Sequence, residues 1–318
     1  MGKKIETLKY YYVGLRSLYK QHRICNNENV KKDFLAAELI RFTHSIEKGL
    51  SIESPRLGFG HDKIEKMKKL MEVIYTADNS YYLEVCGMAL GAMKAYLTFH
   101  EERRFEDDFN RQLNEFIKNF INDKAIDSYW GGVINVSKEK LRFNTPEIEY
   151  FFNTRHSIRD FDDSDIDINR LKSALKLAQK APSACNRQGV RVHIVTNSDD
   201  IDILCDQLQG IGGFADSTKC FAIITAKLSA YRIGEINQYI VSASMYAAYL
   251  TLTLHLYGMG GCVIQRPLIY SKQWERNRNK FNMDIDEQVV CLLAIGNLKN
   301  NFSIPESHRL ENEFIKFQ

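Results

Sequence analysis

The 318-residue chain is 44% hydrophobic and 26% charged, with 5 prolines and 11% aromatics; this is a folded composition long enough for two domains, and it excludes disordered, collagenous and low-complexity classes. Its 43 Lys and Arg against 40 Asp and Glu leave a net charge of +3, so charge implies no nucleic-acid or acidic-lipid partner. Seven scattered cysteines, with no C-x-x-C and no Cys/His pairing at zinc-ligand spacing, predict a reducing, cytoplasmic setting and no structural metal.

Met1 to Tyr19 is lysine-rich and amphipathic, and Lys9 and Arg16 interrupt the apolar core that a signal peptide would need. Glu6 stands where a myristoylation signal after Gly2 would require Ser or Thr. From Asn29 to Asn122 the apolar residues recur at three and four: Phe34, Leu35, Leu39, Ile40 and Phe42, then Ile64, Met67, Leu70, Met71 and Ile74, then a run from Tyr81 to Phe99. Ser51 to Gly60, with Pro55, Gly58 and Gly60, reads as a loop between helices. His44, Glu47 and Lys48 share one helix face, either as a surface for a substrate or partner or as a salt-bridged helix end closed by Gly49. Residues 1–145 are therefore expected to form a mostly helical domain.

Thr145-Pro146 marks a new helix start, with Thr145 as cap and Pro146 in the first turn, and a second domain is expected over 146–318. Asp167 to Lys180 is an amphipathic helix stopped by Pro182; Val190, Val192 and Ile194 alternate as a strand; Ser198 caps a further helix running to Leu208. Cys220 to Ala226 and Val289 to Ile295 are apolar runs of strand length. Ile236 to Gln265 has the length of a membrane span, but Asn237, Gln238, Ser242, Ser244, Thr251, Thr253 and His255 favour a fully buried helix over Ile236 to Tyr257, so no membrane span is expected. The fold class is α+β, with three or four strands and four helices in this half.

Three polar segments could carry chemistry. Arg155-His156-Ser157-Ile158-Arg159-Asp160-Phe161 is either a compact anion site, because guanidinium groups pair with phosphate, or a basic helix end complementing its dipole. Ala181-Pro182-Ser183-Ala184-Cys185-Asn186-Arg187-Gln188 offers Ser, Asn and Gln at a turn where a planar heteroaromatic ligand could be read. Gly258-Met259-Gly260-Gly261-Cys262 allows close approach of backbone to a ligand.

In this order, and with Ser307-His308-Arg309 near the end, these segments resemble the nitroreductase family of flavin mononucleotide (FMN) oxidoreductases over residues 147 to 311. The matching positions are Arg155, Ser157, Arg159 and Phe161; Ala181, Pro182, Ser183, Asn186 and Gln188; Gly258 and Gly260; Ser307 and Arg309. The resemblance implies a mixed sheet flanked by helices. It also implies FMN contacts from Arg155, His156 and Ser157, with Arg155 and Ser157 at phosphate or ribityl oxygens and Arg309 as a second cation at the phosphate. Arg159 would lie near flavin N1 and O2, where a fixed positive charge favours the reduced form. Gly260, Ile264 and Gln265 would border the cofactor, with the loop through Gln265 supplying a backbone N–H to N5. Pro182, Ser183 and Asn186 would reach the flavin of a second subunit in a homodimer. The sequence departs from the family at Arg266-Pro267 and at Gly189-Val190, both on the substrate side.

The resemblance thus implies an FMN-dependent oxidoreductase moving hydride from NAD(P)H through N5 to an electron-poor acceptor, with Arg159 and Gln265 as catalytic positions. The departures motivate a rival reading, a flavin-binding scaffold in a biosynthetic assembly with little turnover, and the resemblance leaves a third, a protein that uses oxygen to break down its own flavin as some relatives do. Pro55 to Gly60 and its surroundings resemble the leading domain of nitroreductase-like proteins associated with bacterial surface-polysaccharide synthesis. Cys262 is expected to be a small buried thiol with only distant arginines near it, and His193 an exposed strand residue.

Overall fold

The structure is a computed structural model that describes residues 18–24, 27–124, 126–208, 210–265 and 277–309, with Tyr12 and Leu15. Arg266, Pro267 and most of the stretch 1–19 lie outside the described residues.

Four long helices make the leading part: α1 (Lys31–Leu50), α2 (His61–Ile74), α3 (Ser80–Glu102) and α4 (Asp108–Lys124). α1 buries Ala36, Leu39, Ile40, Thr43, Ile46 and Leu50, the three-and-four spacing that turns one side of a helix into a core face. These side chains meet Ile64, Met67 and Met71 of α2 and Leu90, Met93 and Tyr96 of α3 in one apolar cluster. The helices fall where the periodicity puts them. Gly49 does not close α1, however: the helix runs on to Leu50, and the missing Cβ of Gly49 makes room for the Phe59 ring. His44 lies 3.6 Å from Glu47, and Glu47 in turn accepts from the Gly132 backbone N–H at 3.1 Å. Glu47 thereby pins the 128–132 strap, whose Trp130 backbone crosses α3 at Gly91 where no side chain would fit.

The second part comprises α5 (Thr145–Thr154), α6 (Ile168–Ala178), β1 (Val190–Val195), α7 (Ser198–Gln207), β2 (Cys220–Lys227), α8 (Gln238–Leu256), β3 (Met259–Ile264) and β4 (Glu287–Asn297). The strands lie in the order β1-β2-β4-β3, and each neighbouring pair is antiparallel. The parallel element recorded beside them is the isolated bridge between Ser157 and Gly261. Alternate residues of β2 face opposite sides: Cys220, Ala222, Ile224 and Ala226 pack with α6 and α8, and Phe221 and Ile223 pack with Leu204 of α7. The sheet is therefore covered on both faces, which explains why β2 and β4 read as continuous apolar runs.

Three expectations change. The caps of α5 and α7 are Asn144 and Asn197, one residue earlier than Thr145 and Ser198, and the Asn197 side chain accepts from the Asp200 N–H. The glycine segment after α8 is mostly strand: Gly258 alone makes the turn, at φ +66°, and Gly260 and Gly261 lie inside β3. Finally, α8 is buried on one side only. Tyr239, Ala243, Tyr246, Ala247, Leu250 and Leu254 are buried, whereas Val241, Met245, Tyr249 and Leu256 are exposed. Among the described residues no helix is long and apolar enough to cross a membrane.

α1 also docks on the second part, with Ala37 joining the core around α6 and α8. Glu38 binds Arg41 at 2.9 Å and the guanidinium of Arg232, and Lys227 reaches Asp33 at 2.6 Å. The Tyr82 hydroxyl donates to the other oxygen of Asp33 at 2.7 Å. Burial alone would raise the Glu38 carboxyl, but hydrogen bonds from Arg232 and Arg41 outweigh it and hold the group at about 2 against an ordinary 4.5. Its contribution to stability is therefore complete above pH 4.5 and lost as pH falls through about 2. Glu38→Gln should cost about 2 kcal/mol, less than a fully buried pair because Arg232 is partly exposed, and should flatten the acid limb of stability in urea titrations across that window.

Candidate functional site

Residues 155–161 leave the C-terminal end of α5 and run along the rim of the sheet, held by two side chains that fill glycine notches. Ile158 sits where a Cβ on Gly260 would lie, 2.9 Å away, and its N–H donates to the Gly261 carbonyl at 3.2 Å. Phe161 fills the matching space over Gly296 and bridges to Leu298. Ile158 and Phe161 are buried, while Arg155, His156, Ser157 and Arg159 between them are partly or wholly exposed. Gly260 therefore admits the arm that carries the polar residues; the close approach expected for a ligand is taken by Ile158.

The geometry brings Arg155, Ser157 and Gln265 together. They line a cavity of about 790 Å³ whose other walls include Ser244, Ala248, Thr251 and Leu252 of α8 and Val263 of β3. No carboxylate lines it, and Arg155 has no ion-pair partner among the described residues. One uncompensated guanidinium, three hydroxyls and an apolar wall suit a ligand with an anionic end, a polar middle and a flat apolar part. His255, behind this corner, accepts or donates across 3.0 Å to the Thr154 hydroxyl; burial and the charges of Arg155 and His156 push its pKa below the ordinary 6.5. Ser244 and Thr251 line this cavity although their place in the sequence points only to a buried helix rather than a membrane span. Their seven-residue spacing in an otherwise apolar helix was the available signal.

The remaining candidates lie elsewhere. Arg159 is exposed, outside the cavity lining, and its guanidinium reaches the Cys262 thiol and, at 3.5 Å, the Ser157 carbonyl. Cys262 is buried as expected, but Arg159 is an immediate neighbour; burial pushes the thiol up and Arg159 draws it partly back. Ile264 is buried in the core at the end of β3. Pro182, Ser183 and Gln188 line a second cavity, and Asn186 is exposed beside it. Ser307 and Arg309 lie in an exposed terminal stretch, and no contact between them and Arg155 or Ser157 is recorded among the described residues. His193 is not an exposed strand residue: it lies 2.6 Å from Glu287, and with Thr225 holds that carboxyl below its usual range despite the opposing effect of burial. Among the described residues no group of His, Cys, Asp and Glu could hold a metal ion.

The family model described as "Nitroreductase family" matches residues 153–211, which include the 155–161 arm and the 181–188 turn. Among solved structures, an FMN-dependent nitroreductase from Clostridium difficile is 24% identical, over 52% of this chain and 96% of its own, with a TM-score of 0.45. A nitroreductase with bound FMN from Bacteroides fragilis is 12% identical, over 54% of this chain and 99% of its own, at 0.46. A nitroreductase-like protein from Streptococcus mutans is 16% identical, over 55% and 99%, at 0.47. A comparison with curated proteins gives no match. The resemblance read from the motifs is thus borne out over the matched segment.

Gly260→Ala should test the notch. Its Cβ would press on the buried Ile158, so we expect a loss of about 1–3 kcal/mol in chemical denaturation, together with faster amide exchange at Ile158.

Proposed function

We propose that the protein is an FMN-dependent oxidoreductase that takes hydride from NAD(P)H and delivers it to an electron-poor acceptor. The observation that carries this reading is the cavity of about 790 Å³ in which Arg155, Ser157 and Gln265 converge with no carboxylate among the described residues. FMN supplies two-electron chemistry at its ring N5. In this reading Arg155 would hold the phosphate, Ser157, Ser244 and Thr251 would bind ribityl oxygens, Val263 and Leu252 would pack against the flavin ring, and the Gln265 backbone would lie near N5. Arg159, which lies outside this cavity against Cys262, has no contact with the cofactor in this reading.

The proposed assembly is a homodimer. Val241, Met245, Tyr249 and Leu256, at intervals of four, four and seven residues, form a stripe along one side of α8 beside Ser244 and Ala248 that no described residue of the chain covers. The two candidate half-sites lie on opposite faces of this helix: Ser244 and Ala248 face the first cavity, Ser242 and Tyr246 the second. A second copy packed on the stripe would bring the Pro182-Ser183-Asn186 turn of one subunit to the cofactor of the other. Chain division near Thr145 into a helical and a cofactor-binding domain is part of the same proposal.

The test is the visible spectrum of the purified protein, reconstituted with FMN, before and after anaerobic NADH or NADPH. Bound FMN that bleaches, and reoxidises with a quinone, is the expected result. Bound FMN without bleaching would favour the scaffold reading, and no FMN binding would refute the site. Arg155→Gln should weaken FMN at least tenfold by fluorescence titration, since a charge-assisted pair contributes about 1.5–3 kcal/mol. Met245→Asp should shift the protein to monomer in sedimentation and lower FMN occupancy with it.

A further inference from the structure

The second cavity, about 570 Å³, lies at the seam between the helical part and the sheet. Tyr81, Val85 and Met88 of α3 form one wall; Ser183, Arg191 and Tyr246 stand on the other side. The volume is that of a small-molecule site. Its charge is set by Arg191 on β1. That guanidinium donates to the Gln188 carbonyl at 3.0 Å and the Val190 carbonyl at 2.8 Å, and it lies 5.8 Å from the centre of the Tyr81 ring. Among the described residues no carboxylate pairs with it. The other nearby cation, Arg187, is already neutralised by Glu235 at 2.6 and 2.9 Å. Glu84, the acidic residue among the described lining residues, is exposed on α3 and screened by water.

The cavity is also held open in one shape. Cys185, Asn186 and Gln188 all have φ near +50°, a conformation that non-glycine residues keep only when their surroundings enforce it. The enforcement comes from Arg187, 3% exposed and fixed on Glu235, which accepts from the Arg232 N–H at 2.7 Å while Arg232 grips Glu38 of the helical part. The turn proposed to reach the partner's cofactor is thus tied through Glu235 and Arg232 to Glu38 of α1, while α3 faces it across the cavity.

We infer that this cavity is the acceptor site, and that it selects a planar aromatic acceptor carrying a negative charge, stacked against Tyr81 and held by Arg191. The acceptor role rests on the oxidoreductase reading; binding of the aromatic anion does not. The site makes the helical part a source of acceptor selectivity. A quinone acceptor would take up two electrons and two protons to give its hydroquinone, with the reduced nicotinamide supplying a hydride and water the second proton.

The experiment is a calorimetric titration of the full chain with anthraquinone-2-sulfonate and with its neutral counterpart 2-(hydroxymethyl)anthraquinone, followed by kcat/KM for both on the FMN-loaded protein. We expect the sulfonate to bind about tenfold more tightly, the affinity ratio to fall to about one in Arg191→Gln, and Arg191→Lys to keep most of it. Tyr81→Leu should weaken both ligands alike. Circular dichroism identifies a variant that has merely unfolded, in which case the wild-type ratio and Arg191→Lys carry the decision. Equal affinity for the two ligands, no binding of either, or a ratio unchanged in folded Arg191→Gln would overturn the inference. Binding with the expected ratio to a protein that never takes up FMN would remove the acceptor role and the oxidoreductase reading together. A bleaching FMN protein that binds neither ligand would remove the cavity assignment alone.

Discussion

Arg187 is a buried guanidinium whose two ends both rest on Glu235, and both the 181–188 turn and the contact with the helical part are connected to that pair. Burying such a charge is costly unless geometry and hydrogen bonds compensate it, and here the pairing is bidentate with the Tyr231 ring 5.0 Å from the guanidinium. On one side the pair locks a turn with three left-handed residues. On the other, Glu235 receives the backbone of Arg232, whose side chain crosses to Glu38 in the helical part. A run of alternating charges therefore ties α1, through a short loop, to the turn that carries Pro182, Ser183 and Asn186. The two parts of the chain are not beads on a string: α1 also inserts Ala37 into the core of the sheet half, and Lys227 joins Asp33 to the Asp284 and Asp286 corner.

α8 organises the rest. Its inner face supports the sheet and one cavity; its outer face lines the other cavity and continues as an apolar stripe. A helix that were buried all round could not do this, because both cavities need small or hydroxylated residues at the helix surface. Ser242 and Ser244, two residues apart and so on opposite sides, divide the two sites between them. The Ile158 and Phe161 anchors then set Arg155 and Ser157 at the edge of the outer cavity, and they can do so only because Gly260 and Gly296 leave the space.

Local signals were legible wherever the chain answers mainly to its own neighbours. The helices over Lys31–Leu50, His61–Ile74 and Ile168–Ala178 follow from their apolar spacing, and the strands Val190–Val195 and Cys220–Lys227 from alternation or a short apolar run. Helix ends were less legible. Gly49 looked like a stop and is a packing notch for Phe59, and Thr145 and Ser198 looked like caps where an asparagine one residue earlier has that place. In both cases the deciding contact comes from a residue outside the motif or from a choice between adjacent polar side chains that composition does not make.

The sequence by itself determined the α+β class, most helices and the strands β1, β2 and β4, and the segments 155–161 and 181–188 as polar candidates, because spacing and side-chain chemistry are properties of short stretches; β3 stayed hidden in a glycine segment. Only the tertiary structure decided which of those residues share a space. It put Arg155, Ser157 and Gln265 in one cavity, Ser183 and Gln188 in another, Arg159 against Cys262, and His193 on Glu287. It also set Tyr81 opposite Arg191, 110 positions apart in the chain. The reason is physical: an ion pair, a notch or a cavity wall depends on distances through space between residues far apart along the chain, and those distances exist only once the helices have packed on the sheet.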